Sequence, residues 1–142
     1  MEDYYNVQYG FSFLYIICLV IFIALFIIKT STITSYFLFA ISVAIAVNFY
    51  SLSITIANST ISWRMGIGFI SGTVDIEQIE HVDSVTNPWY SGWGIREISN
   101  GKLYNVSGFE AVHITLKNGK NIRLGTNEPD KLQSAIQNQL PQ

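Results

Sequence analysis

Between Asp3 and Arg64 the chain carries one charged residue, Lys29. A stretch of that length without charge has almost no polar face to turn toward water. It reads as built for an apolar surrounding rather than for the surface of a small domain. From Arg64 to Gln142 the composition changes: seven Lys or Arg are interspersed with eight Asp or Glu, an ordinary water-facing mixture. The 142 residues therefore divide into an N-terminal tail with apolar segments, 1–50, and a second part, 51–142.

Within the first part, 11–28 (FSFLYIICLVIFIALFII) is uncharged. As a helix it extends about 27 Å, close to the ~30 Å hydrocarbon core of a bilayer. Residues 33–50 form a second uncharged run, with Ala40/Ala44 and Ser42/Ala46 at the four-residue spacing that lets helices approach closely. Plain alanine usage in an apolar helix explains that spacing equally well. Only Lys29 to Thr32 separate the runs, so the expectation is a transmembrane helical hairpin with both ends on one side. Tyr4, Tyr5, Tyr9, Tyr36, Phe49 and Tyr50 lie near its ends, where aromatic belts form. A cleaved signal peptide is disfavoured by the acidic Glu2 and Asp3 and by the length of the run. Lys29 against Arg64 leaves sidedness undecided by charge.

Several function classes lack their signatures. No basic run is present, so the electrostatic footprint of a nucleic-acid binder is missing. Cys18 is the only cysteine, which excludes an intrachain disulfide and a cysteine-based zinc site. Gly66-x-Gly68 sits between strands rather than before a helix, and no nucleophile elbow or Cys/His pairing occurs.

From Ser51 the periodicity becomes two. Leu52, Ile54 and Ile56 share one strand face, Asn58-Ser59 supplies a turn, and Ile61, Trp63 and Met65 alternate on the way back. Further strands are expected over 73–76, 82–86, 94–99, 111–116 and 122–124, with a helical turn over 77–79. Asn118-Gly119 is the strongest hairpin signal in the chain. Pro129 in a first turn, with Leu132, Ile136 and Leu140 on one face, predicts a closing helix over 129–140.

Seven strands and a terminal helix follow the order of a pleckstrin-homology-like barrel. The chain resembles small bacterial membrane proteins that carry such a domain after a transmembrane hairpin. The likeness rests on Trp63-x-x-Gly66, the run from Asn87 to Arg96 (NPWYSGWGIR), Leu103 to Gly108 (LYNVSG), Ala111-Val112 and Gly125 to Pro129 (GTNEP). It implies an α+β membrane protein with a PH-like seven-stranded β-barrel or sandwich, its domain in the cytoplasm and its anchor in the bacterial inner membrane. No mechanism comes with it, and the basic loop clusters of lipid-phosphate-binding relatives are missing here.

Two clusters could carry chemistry. His81, Asp83 and His113 are the only residues resembling a metal or acid/base set, and two exposed strand histidines explain them as well. Glu77, Glu80 and Glu110 have no spacing that demands a dyad. The second cluster is Trp89, Tyr90 and Trp93, set among Pro88, Gly92 and Gly94 and followed by Arg96. Three readings stand open: a satellite core, an element dipping among lipid headgroups, or a binding hot spot in which Arg96 offers a fork to a carboxylate or phosphate. The expected role is a membrane-anchored, non-catalytic interaction module without a cofactor, binding protein or itself. The alternative is a lipid-headgroup-contacting or transport accessory protein, and a metal-dependent enzyme ranks third.

Overall fold

The computed structural model describes residues 4–10, 17, 18, 21 and 32–140. Its elements run β1 (Tyr4–Tyr9), α1 (Thr32–Phe49), β2 (Ser51–Ala57), β3 (Thr60–Met65), β4 (Ile70–Asp75), β5 (Ile79–Thr86), β6 (Gly94–Ile98), β7 (Gly101–Asn105), β8 (Glu110–Leu116), β9 (Asn121–Gly125) and α2 (Pro129–Gln137). Single 3-10 turns occupy Ile76–Gln78 and Trp89–Ser91. The strands form two sheets: an antiparallel one in the order β1-β2-β3-β4, and one in the order β5-β8-β9-β7-β6. In the second sheet β7 and β9 run parallel, with Leu103 opposite Arg123.

Alternation decides which face is buried. Leu52, Ile54 and Ile56 on β2 and Ile61, Trp63 and Met65 on β3 all turn inward, in the register Ile54↔Trp63 and Ile56↔Ile61. Asn58 and Ser59 both adopt positive φ, the twist that a two-residue hairpin turn requires. From the other sheet Val82, Val112, Ile114, Leu116 and Leu124 meet them. Each such side chain contributes about 1.5–3 kcal/mol on leaving water.

Helix α2 closes one margin. Leu132 and Ile136 are fully buried, and the helix packs against β5 and β8. Gln133 also serves the exposed edge of β5: its Oε1 accepts from the Ser84 N–H and hydroxyl, and its Nε2 donates to the Val82 carbonyl. An edge whose backbone groups are engaged is a poor template for unwanted strand pairing.

Three expectations are corrected. First, among the described residues no helix is long and apolar enough to cross a membrane. Helix α1 covers the second expected span, 33–50, but its last turn is built into the β domain. The Val47 carbonyl accepts from the Ile67 N–H, and Phe49 packs on the core. About 15 residues, or ~22 Å, lie ahead of that turn, short of a ~30 Å hydrocarbon core. The first expected span, 11–28, falls outside the described residues apart from 17, 18 and 21. The transmembrane hairpin, and the integral placement in a bacterial inner membrane built on it, are therefore not supported.

Second, the domain is not a PH-like seven-stranded barrel but a pair of sheets with nine strands among the described residues. The two strands beyond expectation are β1 and β7. Third, residues 4–9, read as part of a tail with an aromatic belt, pair along their whole length with β2, from Tyr4↔Ile56 to Tyr9↔Ser51.

Candidate functional site

Four connections converge where α1 enters the sandwich. The Gly10 N–H donates to the Tyr50 carbonyl at 2.7 Å, and the Gly66 N–H donates to the Ser51 carbonyl at 2.8 Å. A Cβ on Gly94, which opens β6, would lie 3.8 Å from the Phe49 ring. The Val106 carbonyl lies 2.6 Å from where a Cβ on Gly10 would be. Gly66 adopts φ +49°, and a side chain there would run into the Val47 carbonyl, so only glycine lets the β3–β4 turn seat the helix end.

At this end the sequence Asn87 to Gly94 displays a pair of exposed aromatic side chains. Asn87 is buried, its N–H donates to the Phe109 carbonyl, and its side-chain oxygen accepts from Arg123 Nη1. Pro88 then starts a single 3-10 turn closed by the Ser91 N–H on the Pro88 carbonyl. Gly92 follows at φ 62° and ψ −159°, a conformation essentially confined to glycine. Arg96 on β6 reaches back, its Nε donating to the Ser91 carbonyl at 3.0 Å. The turn is thus held from both sides by groups outside it.

That scaffold displays Trp89 and Tyr90. They are 81% and 74% exposed, and their rings meet edge to face with centroids 6.0 Å apart. Trp93 is treated differently: it is half-buried, and its indole N–H is out of solvent with no hydrogen-bond partner among the described residues. The satellite-core reading therefore fails for Trp89 and Tyr90 and fits Trp93. Arg96 remains exposed, but one side of its guanidinium is spent on the turn, which makes it a brace as well as a surface cation.

Sequence reasoning missed two neighbours. Ile67 and Phe69, in the β3–β4 turn, are 56% and 83% exposed, and Ile67 is tied to α1 through its N–H. The turn that carries them is pinned by the Gly66 and Ile67 N–H groups on the Ser51 and Val47 carbonyls. Tyr9 and Tyr50, also exposed, lie with ring centroids 6.5 Å apart beside them.

The His81, Asp83 and His113 set is brought together on one face of β5 and β8. His81 Nε2 lies 2.7 Å from Asp83 Oδ2 on the open face of β5, and His113 is paired across from Asp83. His113 Nδ1, however, accepts from Arg123 Nε at 3.2 Å. Partial burial, and then the Arg123 charge, pull the His113 pKa below its ordinary value; burial likewise lowers that of Arg123. Among the described residues no group of three His, Cys, Asp or Glu side chains could hold a metal ion. Glu80 and Glu110 stand at opposite ends of the β5–β8 pair, roughly 20 Å apart by strand rise, so Glu110 forms no dyad with Glu80. Asn105 is buried and its side chain is engaged with Ser107 and Gly108.

No protein-family model matches the sequence, and a search of curated proteins finds no match either.

Proposed function

We propose that the chain is a non-catalytic binding module that engages a protein partner through Trp89 and Tyr90. The observation that carries this reading is two large aromatic side chains standing in solvent on a turn fixed by Pro88, Gly92 and Arg96. A rigid aromatic pair loses little conformational freedom on binding and yields much apolar contact, which is why Trp and Tyr dominate interface hot spots. Ile67 and Phe69 add exposed apolar surface at the same end of the sandwich. Replacement of both Trp89 and Tyr90 by Ala tests it. The wild-type chain, cross-linked in the cells that make it, should retain a stoichiometric partner or a second copy of itself. The double variant should lose that adduct while keeping its far-ultraviolet circular dichroism; equal retention by both would sink the assignment.

A second reading has its own observation. Tyr9, Tyr50, Ile67, Phe69, Trp89 and Tyr90 ring one end of the sandwich, and Arg64 and Arg96 stand beside the two turns. Aromatics with nearby cations suit contact with lipid headgroups from one side, without any segment crossing the bilayer. Vesicles containing headgroup-labelled quencher separate the readings: quenching of Trp89 fluorescence favours lipid, and unquenched Trp89 leaves the protein partner.

A further inference from the structure

We propose that the groove between the two sheets, on the margin that α2 leaves open, binds a small amphipathic carboxylate. The second sheet runs β5-β8-β9-β7-β6, and α2 covers its β5 margin. Toward the β6–β7 margin a hollow of about 490 Å³ opens against β3. Its apolar wall is made by Trp63, Tyr104, Leu116 and Ile122, with the Trp63 and Tyr104 rings 5.5 Å apart and tilted. Such a volume is in the range of small-molecule sites, which pair apolar walls with a few polar groups that fix orientation.

The rim assigns the chemical class. Lys102 and Lys120 stand at the rim, and neither takes part in an ion pair among the described residues. Glu97, opposite Lys102 in the strand register, offsets one of these charges and leaves the rim with a net +1 (2 − 1). A single negative charge on the ligand matches that surplus, and its apolar body matches the wall. The Trp63 side chain is itself 6% exposed and forms the floor of that wall rather than its rim. A plain hydrocarbon leaves both lysines without a counter-charge.

The test uses the full chain, labelled with nitrogen-15, titrated with sodium dodecanoate below its micelle-forming concentration. The Trp63 indole resonance is identified by elimination in Trp89→Phe and Trp93→Phe spectra. The proposal expects a saturable shift of that resonance. It also expects affinity to fall about tenfold or more in the Lys102→Gln/Lys120→Gln variant, since both changes are on the surface and leave the fold alone. Absence of a saturable shift overturns the site. A shift confined to Trp89 and Trp93 places the ligand at the other patch and overturns it as well, and equal affinity in the lysine variant overturns the carboxylate.

Discussion

Helices α1 and α2 use apolar residues to opposite effect. Helix α2 has nine residues and buries two of them, Leu132 and Ile136, while the rest of its surface stays polar. Helix α1 has eighteen residues, apolar on every side, and exposes Ile33, Tyr36, Phe37, Phe39 and Val43 among others. Its last turn is fastened to the sandwich through Val47 and Phe49. Asymmetry rather than total hydrophobicity fixes a helix on its own domain. One stripe selects one seat, whereas a uniformly apolar surface selects none. The same contrast separates Trp63, locked inside, from Trp89, displayed at the rim.

The largest effects should come from the α2 seat. Leu132→Ala or Ile136→Ala should each destabilise the domain by about 2–5 kcal/mol, measured by urea unfolding. A loss below about 1 kcal/mol would mean that α2 is not part of the core. Phe37→Ala, by contrast, should shift stability by no more than about 0.5 kcal/mol. Next is the fastening of α1: Gly66→Ala should cost about 1–3 kcal/mol, because its Cβ meets the Val47 carbonyl and φ is positive. A neutral result would show that the helix end sits elsewhere.

Trp89→Ala and Tyr90→Ala should leave unfolding within about 0.5 kcal/mol of wild type, since neither side chain is in the core. A larger loss would turn the displayed pair into a structural element. The smallest effect concerns His113. Its folded pKa is lowered from 6.5, so the unfolded chain takes up the proton first. Its contribution is complete above pH 6.5 and declines as pH falls below that value. His113→Gln should therefore flatten the fall in melting temperature between pH 7.5 and 5. An unchanged slope would assign the fall to other groups.

Much of the sandwich was legible in the sequence because strict alternation marks a strand with one buried face. Leu52/Ile54/Ile56 and Val112/Ile114/Leu116 read directly, as did Asn58-Ser59, Asn118-Gly119 and the spacing of Leu132 and Ile136. Strand β1 was not legible. Tyr4 to Tyr9 has aromatics at both parities, and the residue it buries most deeply is Gln8, whose amide donates to the Ser107 carbonyl. Strand β7 begins with a glycine that suggests a turn. Yet a side chain on Gly101 would collide with the Asn121 backbone, so its absence is what admits the parallel pairing with β9. Long-range pairing of that kind leaves no local trace. The aromatic turn stood out by composition, but which of its rings faced solvent depended on Gly92 and the Arg96 brace, neither of which periodicity reports.

The central claim is that the end bearing Trp89 meets a protein partner and the opposite end meets none. A photo-crosslinking residue placed at Trp89, and in a second chain at Lys117 in the far β8–β9 turn, tests it in the cells that make the protein. The account predicts one discrete adduct from position 89 and none from position 117. No adduct from position 89, or the same adduct from both positions, would contradict it.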